Sequence, residues 1–128
     1  MIKFEKSNFI LATKDLNYIF RVLPTGQLEH LYFGSKLIDQ DYEVFQSKIT
    51  AGAGSTIEYV EGEHKTALDL LTLEYSGIGK GDYRISPIEV KMPDGTFVSD
   101  FVYDSYEIHD GVVESKELPI SRANDQKV

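Results

Sequence analysis

Turn residues recur every ~10–20 residues along this chain, and the runs between them are rich in Val, Ile, Tyr and Phe. No segment keeps apolar residues at the 3.6-residue period of an amphipathic helix. "NYIFRVLPTGQLEHLYFG" places Tyr18, Phe20 and Val22 on one face of a run and Ile19, Arg21 and Leu23 on the other. Pro24 presets φ and Gly26 can take φ > 0, so the spacing predicts a hairpin around Pro24-Thr25-Gly26. "IEVKMPDGTFVSDFVY" predicts a second, turning at Pro93-Asp94-Gly95. "EIHDGVVE" predicts a third at Asp110-Gly111. The fold class that follows is all-β, an antiparallel β-sandwich with few short helical turns. It spans residues 1–120, and 121–128, "SRANDQKV" from Ser121, read as a polar tail or the start of a linker or next strand.

The stretch from Asp39 to Thr72 breaks this pattern. "AGAGSTIEYVEGEH" is rich in glycine and polar residues and reads as a long loop. Ser55-Thr56-Ile57-Glu58 fits a capping box, which allows one helical turn. "TALDLLTL" suits either a short helix or a buried strand, because eight residues are too few for periodicity to decide.

A chain of 128 residues suits one domain or a fragment of one. Its 21 acidic and 13 basic side chains give a net charge of -8. That field repels phosphate backbones and anionic lipid, so neither nucleic acid nor membrane is an expected partner. No Cys is present, which removes disulfides, thiolate metal sites and Cys nucleophiles together. The N-terminus, "MIKFEKSNFILATKDL", has no apolar leader core, and no run approaches the ~20 apolar residues of a membrane span. A cytoplasmic location is the expectation.

"LEYSGIGKGDYR" (Leu73 to Arg84) puts glycines beside a lysine, as phosphate-binding loops do. Yet Gly77, Gly79 and Gly81 lie two apart, and Asp82 stands where a Walker A loop needs Ser or Thr. "DYRISPIEVKM" after it reads as strand, which leaves no helix N-terminus for a phosphate. A turn feeding a strand is the better reading. Lys80, Asp82, Tyr83 and Arg84 still form a polar group able to hold sugar hydroxyls, against the plainer possibility of a local Asp–Arg pair and a core Tyr.

Other chemistry has little support. His30, His64 and His109 lack metal-ligand spacing. Asp100 and Asp104 would share a strand face, which more often makes a solvated edge than a cation site. There is no G-x-S-x-G elbow, and nothing marks two of the many carboxylates as a catalytic pair. No cofactor or metal is expected. The tyrosines suit a binding surface as well as a core, and core packing should claim at least half of Tyr32, Tyr42, Tyr59, Tyr75, Tyr83, Tyr103, Tyr106 and Phe33.

Four strings occur in an order that resembles a known family: "FRVLPTGQLEHLYFG", "LEYSGIGKGDYR", "MPDGTFVSDFVYDSYEI" and the late "ELP" at Glu117 to Pro119. Together they look like the start of glycoside hydrolase family 36 α-galactosidases of the melibiase type found in Gram-positive bacteria. The loop Gln46 to Lys65 departs most from that pattern. The resemblance implies an N-terminal β-supersandwich of galactose mutarotase-like fold, followed by a catalytic (β/α)8 barrel and a C-terminal β domain. It implies retaining hydrolysis of terminal α-galactosides such as melibiose and raffinose, with both catalytic aspartates in the barrel and so none in this chain. It further implies a tetrameric parent in which loops of this domain rim a neighbour's active site. By position, Lys48, Thr50 and Tyr59 are rim candidates, and the glycine loop supplies Lys80, Asp82 and Arg84. On this reading the chain is non-catalytic and inactive alone. If it ends within the sandwich it should expose strand edges or an apolar face and self-associate. The alternatives are a stand-alone carbohydrate-binding module and a protein-interaction module.

Overall fold

The computed structural model describes residues 1–38, 41–47 and 67–111. Four antiparallel strands form one sheet in chain order: β1 (Ile2–Glu5), β2 (Asn8–Ala12), β3 (Leu16–Val22) and β4 (Leu28–Ser35). The expected all-β antiparallel fold is present, and the helical elements among the described residues are two 3-10 turns, Tyr42–Phe45 and Leu68–Leu70. The hairpin expected around Pro24-Thr25-Gly26 forms as β3–β4. Gly26 takes φ 97, and its N–H donates to the Leu23 carbonyl at 2.9 Å. The β1–β2 hairpin is one that sequence patterning passed over. Its two-residue turn holds Lys6 and Ser7 at φ 50 and 64, which is left-handed backbone that the Asn-Gly signature would have advertised and Lys-Ser does not.

Alternation along the strands gives the sheet two different faces. Ile10, Ile19 and Leu31 cluster on one, with Tyr32, Leu37, Tyr42 and Phe45 packed against them. Phe4, Phe9 and Phe20 line the other, where Phe9 stacks on Phe20 at 4.9 Å and meets Tyr106 edge-on at 5.1 Å. A bulge on β4 makes Leu31 the extra residue, since Ile19 pairs with Tyr32 but Phe20 pairs with His30. The bulge restores the alternation, so that His30 and Phe33 both join Tyr18 on the aromatic face.

Beyond β4, chain segments pair through isolated bridges rather than as full strands, one of them on the sheet and one between two later segments. Glu29 bridges Leu73, and Ile78 bridges Ser99. "TALDLLTL" divides between its two readings: Leu68–Leu70 is a 3-10 turn, and Leu73 has strand-like pairing.

The second expected hairpin is reduced to its turn. Met92 N–H donates to the Thr96 carbonyl at 2.8 Å, and Gly95 takes φ 87. The flanking runs form no ladder, and the run after Asp82 is irregular rather than strand. The physical reason lies in their surroundings: Ile88, Val90, Met92, Phe97, Phe101 and Val102 remain substantially exposed, so the described residues supply no apolar layer to cover them and fix a register. At the third expected turn, Gly111 takes φ 84. The rest of that hairpin, the 121–128 tail and the Ser55–Glu58 capping box lie outside the described residues.

Candidate functional site

The glycine loop is built by close approach. Gly77 lies so near the neighbouring main chain that a Cβ would sit 2.5 Å from the Ser99 carbonyl oxygen. Gly79, at φ 79, faces Val98, whose methyl would be 2.9 Å from a Cβ. Ile78 between them exchanges main-chain hydrogen bonds with Ser99 at 3.2 and 3.0 Å. The glycines therefore let one segment lie flat on another, and among the described residues no helix follows to cradle a phosphate.

Asp82 and Arg84 are brought together and occupied. The guanidinium grips both carboxylate oxygens, with Nε and Nη2 each 2.8 Å from an oxygen. The Arg84 N–H also donates to Asp82 Oδ1 at 3.1 Å. The remaining guanidinium donors reach the Leu71 and Leu68 carbonyls at 2.6 and 2.7 Å. Arg84 thus closes the 3-10 turn Leu68–Leu70 over the loop. The Asp82 side chain has no exposed surface. Burial on its own would raise its pKa, but the Arg84 hydrogen bonds and charge outweigh it and hold the carboxyl below the usual range. Lys80, between two glycines of positive φ, stays exposed, as does Tyr83. Lys48, Thr50 and Tyr59 lie outside the described residues.

A second polar group, which sequence patterning did not single out, sits on the aromatic face. Glu74 accepts from the Tyr18 hydroxyl through one oxygen, and its other oxygen lies 3.1 Å from His30 Nδ1. Burial, then the hydrogen bond and charge of Glu74, push the Tyr18 pKa well above the ordinary phenol value. The three residues are 44 and 56 positions apart along the chain, so no local spacing could have announced them. Phe33, edge-on to Tyr18 at 5.9 Å, is 66% exposed.

A third group is the ion pair of Arg21 and Glu29, opposite each other on β3 and β4. Arg21 Nε lies 2.5 Å from Glu29 Oε2, and the Glu29 side chain is wholly buried. Asp100, one of the two expected face-sharing aspartates, accepts from Gln27 Nε2 at 3.1 Å. Among the described residues no group of three or more His, Asp or Glu side chains gathers to hold a metal ion. An open groove of about 240 Å³ is lined by Leu28, Tyr75, Ile88, Phe101, Val102 and Tyr103. Its lining holds no carboxylate, His, Lys or Arg, and the Tyr75 and Tyr103 phenols are its polar side chains. Of the aromatics expected to divide between core and surface, Tyr32 and Tyr42 pack on the core cluster, while Phe33, Tyr75, Tyr83 and Tyr106 are exposed.

Comparison with known proteins fits this arrangement. Residues 26–127 match the model of the glycosyl hydrolase family 36 N-terminal domain. The chain is 32% identical over 124 residues to alpha-galactosidase Mel36A of Lactobacillus acidophilus, covering 94% of this chain and 17% of that protein. It is also 32% identical over 123 residues to the bifunctional alpha-galactosidase/sucrose kinase AgaSK of Mediterraneibacter gnavus, covering 95% of this chain and 13% of the relative. The solved galactosidase domain of AgaSK superposes with a TM-score of 0.83 at 30% identity, over 99% of this chain and 18% of that one. The chain thus spans less than a fifth of these relatives, and no helix among its described residues is long and apolar enough to cross a membrane. The family match over residues 26–127, which is most of the chain, places it in the N-terminal domain family of glycosyl hydrolase family 36.

Proposed function

We propose that this chain is the non-catalytic N-terminal domain of a cytoplasmic α-galactosidase that hydrolyses terminal α-galactosides of the melibiose and raffinose type. The observation that carries the reading is the family match over residues 26–127, together with relatives that are alpha-galactosidases by name. On this reading the domain supports oligomer assembly, a tetramer in the parent enzyme, and contributes to the rim of a neighbouring subunit's active site. Lys48, Thr50 and Tyr59 are the rim residues, with Lys80 as the exposed member of the glycine loop. Asp82 and Arg84 serve the rim by holding that loop in shape, because their polar atoms are already engaged with each other and with main chain.

The test is to express the gene at its natural length and assay release of galactose from melibiose and raffinose. Activity at natural length with none from the 128-residue chain is the expected result; turnover by the short chain, or none at natural length, would sink the reading. A protein-contact role also has direct support, since Tyr83 and Ile85 are 75% and 94% exposed on either side of the anchored Arg84. Side chains held out on a fixed backbone lose little entropy on binding. Replacing both with Ser in the natural-length protein should weaken its assembly in sedimentation experiments.

A further inference from the structure

Asp82, Glu29 and Glu74 are all drawn in from solvent, but they differ in what is left over. The Asp82 and Glu29 side chains have no exposed surface, and each is held by an arginine. Glu74 keeps 17% of its side-chain surface open. Among the described residues its side-chain partners are a phenol and a histidine, with no Lys or Arg. A carboxylate offers about four acceptor sites, and Tyr18 and His30 take one on each oxygen. His30, 34% exposed, donates from Nδ1, so its neutral ring keeps an acceptor at Nε2. Spare acceptors thus remain within reach of solvent. The scaffold beneath them is fixed, since Tyr18 lies opposite Phe33 in the β3–β4 ladder and the Glu74 N–H donates to the Leu28 carbonyl at 2.9 Å.

An apolar platform stands beside these acceptors. Phe33, 66% exposed, is edge-on to Tyr18 at 5.9 Å, and the Tyr18 ring lies 5.5 Å from His30. A single exposed aromatic needs no explanation, but this one has a ring behind it and acceptors next to it. Alternation puts Leu28 on the same face of β4, roughly 15 Å from Phe33 at the rise of a strand. There the open groove adds the Tyr75 and Tyr103 phenols. A ligand that fits this face offers C–H surface to rings and hydroxyl donors to acceptors, over more than one ring's length. It is also uncharged or nearly so, because a chain of net charge -8 repels anions.

We infer that the face formed by Phe33, Tyr18, His30 and Glu74 is a binding site for a neutral oligosaccharide, with a pyranose ring lying on Phe33 and its hydroxyls donating to Glu74 and His30. Rings supply the contact area and the two acceptors set the orientation. Galactose suits the platform, because its axial hydroxyl gathers ring C–H bonds onto the opposite face. The choice of galactose among neutral sugars rests on the functional reading above; the site itself rests on the geometry.

The experiment is a ligand-observed NMR titration of the protein, at the natural length of its gene, with β-linked galactotriose. That probe is a neutral chain with no α-galactosyl bond to cleave. Saturable binding is expected with a Kd on the order of 1 mM, as suits a shallow site with few polar contacts. Phe33→Ala should weaken it at least about fivefold. Should Phe33→Ala fold poorly, Phe33→Leu keeps the apolar bulk without the flat ring and should show the same loss. Phe33→Tyr, which restores a ring, should bind within about twofold of the parent. Glu74→Gln should weaken binding roughly three- to tenfold. No saturation at millimolar excess, or binding that Phe33→Ala and Phe33→Leu both leave unchanged, would overturn the inference. So would a Phe33→Ala protein that binds the sugar as the parent does but sediments as a smaller assembly, which would mark this face as a protein contact. Galactose release from melibiose by the same preparation keeps the two levels apart. Hydrolysis without galactotriose binding removes this inference alone, and binding without hydrolysis removes the functional reading alone.

Discussion

Removing Arg84 should expose how much the glycine loop depends on one guanidinium. Arg84→Ala strips a wholly buried Asp82 carboxylate of its cationic partner and takes one donor each from the Leu68 and Leu71 carbonyls, which keep the N–H groups of Leu71 and Leu73. Breaking a buried ion pair costs about 3–5 kcal/mol. The Arg84 side chain is 39% exposed, however, so water screens part of the interaction and can replace part of it. A net loss of about 2–3 kcal/mol follows, or a fall of about 8–12 °C in melting temperature at about 4 °C per kcal/mol for a chain of this size. The pH dependence tests the cause. Asp82 has a lowered pKa in the folded chain, so its stabilisation is present above the ordinary Asp value and is lost as pH falls through the folded value. Without Arg84, burial instead favours the protonated acid, so the gap between parent and variant should shrink from about pH 5 toward pH 3. Urea unfolding across that range is the assay. Asp82→Asn/Arg84→Ala should be less destabilised than Arg84→Ala alone, because no buried charge is left unpaired. A loss below about 0.5 kcal/mol at pH 7, or one that stays constant into acid, would refute this account.

Gly77→Ala should cost more than about 2 kcal/mol in chemical denaturation, because its Cβ would strike a main-chain oxygen; Gly95→Ala, at φ 87 but in open space, should cost only about 1 kcal/mol. Tyr18→Phe should lose the Glu74 hydrogen bond at about 1–2 kcal/mol. Because the folded Tyr18 pKa is raised, its contribution is complete below the ordinary phenol value near 10 and is lost above it. The parent should therefore lose more stability than Tyr18→Phe as pH passes 10, and equal slopes would contradict that. The 128-residue chain should self-associate with rising concentration, given exposed Ile85, Ile88, Val98 and Phe101; a strict monomer by sedimentation equilibrium at high concentration would count against a face that needs covering.

The hairpin at Pro24-Thr25-Gly26 was legible because turn chemistry and alternation agree within one short stretch. The one at Lys6-Ser7 was not, because neither residue advertises positive φ and the pairing of Phe4 with Phe9 stabilises the turn from outside it. Pro93-Asp94-Gly95 shows the reverse. Its turn is local, with Asp94 Oδ1 accepting from the Thr96 N–H at 2.9 Å, and it forms as expected. Its strands need an apolar layer that the described residues do not supply. Glycine spacing ruled out a phosphate cradle correctly, but why glycine stands at Gly77 required seeing Ser99 against it.

What the sequence determines by itself is the local and the ordered. Period-2 alternation points to an all-β chain, turn residues mark the reversal at Pro24-Thr25-Gly26 but not the one at Lys6-Ser7, and the succession of long motifs points to the family. The tertiary structure alone decides which distant groups meet: Tyr18 with Glu74 and His30, Arg84 with the carbonyls of Leu68 and Leu71, and Glu29 with Ser47 and Leu73. The physical reason is that strand propensity and turn geometry act over a few residues. The partner of a buried charge is chosen by sheet register and by segments that dock on it from 13 to 56 residues away.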